Sequence, residues 1–596
     1  MGHFRINTPD LLFILKEQLN YGRLCDFDRY RDLNEKALDL LVTEAVKFAR
    51  GVVEPLQDLA EDPGVRFENG QVFCPPEFAA AFRQYGQDGW TAIARDPAYG
   101  GGGFPTMMRI VVNDIMYGAC QAFNMAPSLT HGAAHLIESF ADEDLRKLFV
   151  PPMYDGTWSG TMALTEPEAG SDLGNIQTTA RPDGSGRYKI SGAKIFISWG
   201  DHDLADNIVH LILARIEGAP AGSRGLSLFI VPKNKVNPDG SLGGSNDVRC
   251  GTVEEKLGLH GSPTCLLNFG TAGDCEAWLC GGENQGLAHM FQMMNQARIN
   301  TGVSGMAIAA TAYQNALAYA RQRHQGRDIT GEKSGSVPII EHADVRRMLL
   351  WMKAVTEGMR SLIYSAAFWA DLADQHPDAD RRQHYANLLD FITPIVKAYC
   401  SEQGFRVCET AMQVLGGYGY SRDYPIEQYL RDVKVLSLYE GTNGIQSLDL
   451  MGRKVTRKSG RLLDDFLGEI RRFCNCHDDD PKLGERIRAL RRVVDQAGAF
   501  AEAMVRRRQS DIRLWAAGTW PALMALAEMA VVWRLLDMAI VAGAALDQGR
   551  RPAAFYQGKI MQATAYTDLT LPHCSTGMDV CLRQGREIVD MPPEAF

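Results

Sequence analysis

The chain has 596 residues, of which 45% are hydrophobic and 22% charged, and 62 basic against 72 acidic side chains give a formal net charge of −10. The length exceeds one ordinary domain and the apolar share supports sizeable cores, so about three or four folded units are expected. Such mild acidity argues against a nucleic-acid-binding surface.

The first part of the chain, to about residue 155, reads as helices: "DLNEKALDLLVTEAVKFARGVVEPL" repeats apolar residues every three or four positions. The opening "MGHFRINTPDLLFILKEQLN" has no basic n-region, long apolar core or small-residue cleavage site, so a cytoplasmic protein with its thirteen cysteines as free thiols is expected. "AYGGGGFP" is followed by no Gly-Lys-Ser/Thr and reads as a loop between helices. "HGAAH", His131 to His135, has two-ligand spacing but Gly132 where metalloproteases carry glutamate, so it reads as helix packing.

From about 156 to 285 the texture changes. "TWSGTMALTEPEAGSD", "YKISGAKIFISWGD", "NIVHLILARI" and "GLSLFIVPK" are short β-rich runs separated by turn residues, which predicts a compact antiparallel barrel or sandwich. Helical texture returns from 286 to about 455, and after the charged "GRKVTRKSGRLLDD" a further helical block runs from 456 to 596. Within that block Trp520–Leu546 is long enough to span a bilayer, but Glu528, Arg534 and Asp537 interrupt it, so a buried bundle helix is expected and membrane contact is not. "CNCH", Cys474 to His477, lacks a second ligand pair, so no metal site is expected. "GGYGYSRD", from Gly416, breaks dinucleotide-fingerprint spacing.

"LYEGTNGIQ", Leu438 to Gln446, sets one carboxylate, Glu440, between an aromatic ring and a Gly-Thr-Asn-Gly run. Taken alone it is either a helix end followed by a turn or a working carboxylate, because a buried acid is expensive unless paired or used.

Four motifs in fixed order carry more: "MALTEPEAGSD" (Met162–Asp172), "FISWGD" (Phe196–Asp201), "RINTGVSGMAIAATAYQNALAYARQR" (Arg298–Arg323) and "QVLGGYGYSRDYPIEQYLRDVKVLSLYEGTNGIQ" (Gln413–Gln446). Over residues 35–455 the chain resembles the acyl-CoA dehydrogenase family. The C-terminal block, with "FYQGKIMQATAYTDLTLP", is similar to the longer bacterial branch that includes 3-methylmercaptopropionyl-CoA dehydrogenase. The resemblance implies an α+β, mainly helical fold: an N-terminal helical domain (1–155), a central antiparallel β-barrel domain (156–285), a four-helix-bundle domain (286–455) and an extra C-terminal helical domain (456–596).

It also implies FAD as cofactor, an acyl-CoA substrate oxidised to the trans-2-enoyl-CoA, and an electron-transferring flavoprotein as acceptor. Glu440 matches the catalytic base. The alternative base position in some relatives, just before the arginine matched by Arg298, is Ala297 here. The thioester oxygen would be held by a flavin hydroxyl and the Glu440 N–H, and the β-hydrogen would leave as hydride to flavin N5. Leu164 and Thr165 match residues against the isoalloxazine, and Ser171 one that bonds the pyrophosphate or the pantetheine arm. Phe196 matches an aromatic shield, tryptophan in many relatives, and Ser198 a hydroxyl contact. Arg298 and Asn295 match positions near CoA, with Asn295 standing where many relatives have aspartate, and Tyr439 and Gly441 flank the base at the substrate. Arg323, Gln413, Gly416 and Gly417 match elements gripping FAD across a subunit interface, which implies a homodimer. Thr442 matches a further FAD contact, while Gly444 replaces a common glutamine. The same motifs are compatible with an acyl-CoA oxidase, or with a catalytically silent scaffold of the same fold.

Overall fold

A computed structural model describes residues 3–596. The chain forms two compact units, one of residues 3–4 and 36–297, the other of residues 5–35 and 298–596.

In the first unit the principal helices are α1 (Glu35–Phe48), α2 (Pro76–Gln87), α3 (Thr106–Ala119), α4 (Gln121–Phe140) and α5 (Glu143–Tyr154). In α1 the buried residues Leu38, Val42, Ala45 and Val46 form one stripe, as its periodicity requires. Asp142 caps α5, accepting from the Leu145 N–H at 2.9 Å.

The eight strands of the main sheet follow: β1 (Trp158–Ala163), β2 (Thr179–Pro182), β3 (Tyr188–Ser198), β4 (Asn207–Ile216), β5 (Leu226–Pro232), β6 (Val248–Val253), β7 (Thr264–Phe269) and β8 (Glu276–Leu279). Pairing runs β6-β7-β3-β8-β5-β4-β1, and β2 bridges β3 and β4, so five strands close on themselves into a barrel. The expected antiparallel barrel is present, but β1 and β2 both pair with β4 in parallel. Parallel partners come from crossovers, which strand texture does not reveal.

The run "NIVHLILARI" is apolar almost throughout because β4 is covered on both faces. Val209, Leu211 and Leu213 join a core with Ala133, Ile137 and Phe149 of the helices. Ile212, Ala214 and Ile216 turn the other way, to Phe229 and Phe269 inside the barrel. Gly160 of β1 lies so close to the helices that a Cβ there would stand 2.7 Å from the Ala133 Cβ.

The second unit is helical: the main part of α6 (Gly286–Gln322), then α7 (Ala343–Gln375), α8 (Ala379–Leu415), α9 (Ile426–Lys434), α10 (Asn443–Asp449), α11 (Arg461–His477), α12 (Gly484–Ser510), α13 (Ile512–Asp547) and α14 (Ala553–Arg583). Helix α13 holds the membrane-length apolar run, and it packs on α14, α12, α7, α8 and α10. Its Arg534 is buried, paired with Asp537 at 3.0 Å and donating to the Ser361 hydroxyl at 3.2 Å. Residues 5–35, grouped by sequence with the N-terminal helices, are fastened here by Lys559 to Asp10 at 2.6 Å, Gln18 to Asp537 at 2.8 Å and Tyr30 to Asp371 at 3.1 Å.

Candidate active site

In the first unit the two barrel motifs meet. The Ile195 N–H donates to the Thr165 carbonyl at 2.9 Å, and Lys194 Nζ donates to the Leu164 carbonyl at 3.1 Å. The end of β1 is thereby stitched to the end of β3, and Leu164, Thr165, Phe196 and Ser198 come together. Opposite β7, strand β3 carries a bulge in which Ile195 and Phe196 face the single residue Leu266. A bulge bends the strand and re-aims a side chain. Phe196 sits at φ +56° and Trp199 at +55°, a region bulky residues rarely occupy. The two rings go opposite ways. Trp199 is buried and its Nε1 donates to the Ala122 carbonyl at 3.2 Å, whereas Phe196 is 59% exposed. Strain of this kind persists where the surroundings over-determine it, commonly at binding sites.

Beneath this end lies a buried ion pair that sequence reading passed over. Lys194 is fully buried and lies 2.8 Å from Glu166 of "TEPEAGSD". Glu166 also accepts from Thr178 and from the Gln177 N–H. Burial pulls the Lys194 ammonium down to about 8, although Glu166 opposes it. Ser171 is on the exposed side of the same turn.

In the second unit, "LYEGTNGIQ" forms a sharp turn into α10. Glu440 lies at φ +54° and Gly441 at +78°, and Thr442 caps α10 by accepting from the Ile445 N–H at 3.2 Å. Gln446, fully buried, donates to the Glu440 carbonyl at 3.1 Å and to the Gly441 carbonyl at 3.4 Å. A side chain at 441 would stand 2.7 Å from that Gln446 amide, which is why glycine follows the glutamate. Tyr439 precedes the turn and is half-buried.

By accessible area Glu440 is only half-buried, yet its carboxyl is densely surrounded by protein and accepts no hydrogen bond among the described residues. Burial pushes its pKa up to about 7, against the opposing pull of Arg298 and Lys397. Arg298 is itself buried, 3.7 Å from Asp449. A carboxylate balanced near neutrality is suited to accepting a proton.

The remaining expected residues lie elsewhere. Asn295, Arg323, Gln413, Gly416 and Gly417 are exposed, and neither glycine has any atom within 4 Å of where a Cβ would stand. His131 Nδ1 bonds to the Thr91 carbonyl at 2.8 Å, and His135 lies between the Gln292 and Gln296 amides. Sequence reading also missed Gln121 and Asn124 of α4, whose buried amides have no protein partner among the described residues. Nor did it mark Lys397 of α8. The signal for that residue was present: a lysine inside the apolar run "FITPIVKAYC".

The bulged barrel edge with its exposed ring and the carboxylate held near neutrality fit a flavin-dependent oxidoreductase, and the chain's family and relatives are of that class. The chain belongs to the acyl-CoA dehydrogenase family. The family's N-terminal, middle and C-terminal domain models match residues 36–157, 161–271 and 284–455, and an acetyl-CoA dehydrogenase C-terminal-like model matches 466–592. It is 37% identical to 3-methylmercaptopropionyl-CoA dehydrogenase of Ruegeria pomeroyi, over 96% of this chain and 97% of that protein. It is 35% identical to the broad-specificity linear acyl-CoA dehydrogenase FadE5 of Mycobacterium tuberculosis over the full length of both. In fold it is similar to ACDH-11 of Caenorhabditis elegans in complex with C11-CoA, at TM-score 0.76 and 21% identity, covering 98% of this chain and 95% of that one.

Proposed function

We propose that the protein is an FAD-dependent acyl-CoA dehydrogenase that converts an acyl-CoA thioester to the trans-2-enoyl-CoA, with Glu440 removing the α-proton. The observation that carries this reading is Glu440 itself, a lone carboxyl on a left-handed turn, densely surrounded and poised at about 7.

The residues present fit the cofactor. Phe196 presents an exposed ring, and the links of Lys194 to the Leu164 carbonyl and of Ile195 to the Thr165 carbonyl bring Leu164, Thr165 and Ser198 to the same strand ends. Bound FAD supplies the acceptor for the β-hydride. The protein supplies the base, and the electropositive neighbours Arg298 and Lys397 keep a share of that base ionised at neutral pH. Gln446 fixes the Glu440 and Gly441 carbonyls, and the Glu440 carboxyl is left to accept the proton.

Exposed Arg323, Gln413, Gly416 and Gly417 support a cofactor site completed by a second copy, hence a homodimer, and family membership supports an electron-transferring flavoprotein as acceptor. The long relatives support a short or linear acyl chain. The test is Glu440→Gln: the variant keeps FAD but loses flavin bleaching by acyl-CoA, and undiminished bleaching removes Glu440 from the role.

A further inference from the structure

We propose that Lys397 is a positioning residue for the catalytic turn: from α8 its ammonium anchors Asn443, the first residue of α10, and sets the charge beside Glu440. This rests on the reading of Glu440 as the base. Lys397 has no exposed surface, and its Nζ donates to Asn443 Oδ1 at 3.0 Å. Ser401, one turn further along α8, donates to the same oxygen at 3.1 Å. Asn443 is buried and stands three residues after Glu440, so α8 holds the turn from below through a single amide oxygen.

An ammonium has three N–H donors. Among the described residues only one of the three finds a protein acceptor. No carboxylate lies within ion-pair distance of Nζ among those residues, so the charge is buried without a close partner. A structural filler would be apolar, because burying an unpaired cation is expensive. The charged groups around Lys397 are Glu440 on the turn and Arg298 on α6, and behind Arg298 stand Asp449 and Arg453. Burial pulls the Lys397 ammonium down to about 7, Arg298 pulls the same way and Glu440 opposes both. Lysine and glutamate therefore titrate in one pH range, and a proton gained by the carboxyl is felt by the ammonium.

The role separates into two measurable parts, anchorage and charge. In Lys397→Met both are lost: FAD stays bound, the bleaching rate falls at least about tenfold, and the midpoint of its pH profile moves up by about one pH unit. In Lys397→Gln an amide can still reach Asn443, so part of the rate returns while the midpoint stays high. Asn443→Ala keeps the ammonium and loses the anchor, so the rate falls with little movement of the midpoint. A merely space-filling lysine would leave the midpoint in place in both Lys397 variants, and that result overturns the proposal. Should neither Lys397 variant fold, Asn443→Ala decides, and a wild-type bleaching rate there overturns it. Glu440→Gln, run in parallel, keeps the two readings apart. If that variant still bleaches, the assignment of the base fails; if it is inert while the Lys397 variants behave as wild type, only the role of Lys397 fails.

Discussion

At the residue scale the decisive quantity is the protonation of Glu440. Its carboxyl titrates near 7 rather than at the ordinary 4.5, so the rate of flavin bleaching should rise with pH through about 7 and then level off. Stopped-flow measurement across that range checks it. The same displacement carries a stability consequence. The folded state holds this proton more tightly than the unfolded chain between 4.5 and 7, so stability falls as pH rises through that window. Glu440→Gln removes the penalty, and its gain in thermal midpoint should be larger at about pH 8 than at about pH 4. The Lys194–Glu166 pair behaves differently, because each partner neutralises the other. Lys194→Met leaves a buried carboxylate unpaired and should destabilise the protein by roughly 3 kcal/mol, read by chemical unfolding, with bound FAD lost early because Lys194 also ties down the Leu164 carbonyl.

At the scale of elements, the turn into α10 and the end of β3 share one device: a backbone held in an unfavourable region by neighbours that leave it no alternative. For the turn the neighbours are Gln446 and the Thr442 cap, and Gly441→Ala should collide with the Gln446 amide. That variant should retain FAD and bleach at least about tenfold more slowly, measured as a single-turnover rate. Much of this was legible in the sequence. "YEGTNG" announces a carboxylate followed by a tight turn, and the "FISW" run announces a strand end bearing aromatics. The left-handed conformations of Phe196 and Trp199 were not legible, because a bulge arises from the register of two strands, Cys265 to Leu267 against Lys194 to Ile197. Lys397 was passed over for a related reason. The apolar run "FITPIVKAYC" marks its segment as interior, but that its ammonium meets Asn443 of the turn is settled only by packing.

At the scale of the whole molecule, the exposed glycines 416 and 417 and the exposed Arg323 and Gln413 are offered to a second copy in the reading proposed above. Light scattering of the FAD-loaded protein should therefore give at least twice the chain mass, and Arg323→Glu should lower FAD retention without changing the helical content. A monomer holding a full complement of FAD would contradict that arrangement. The C-terminal block is no loose appendage within its own unit. Helix α13 is apolar on nearly every face because α14, α12, α7, α8 and α10 surround it, and the three charged residues inside its apolar run, Glu528, Arg534 and Asp537, are the places where that environment is polar or open.

The sequence by itself determined the order of helical and β segments, the family and the one carboxylate worth testing, because these depend on local periodicity and on short motifs whose spacing survives without contacts. The parallel pairing of β1 and β2 with β4, the joining of residues 5–35 to the second unit, and the charge environment of Glu440 were decided by the tertiary structure alone. Each depends on which distant residues come to lie together, and a pKa depends on burial and neighbouring charge, quantities that exist only once the chain has folded.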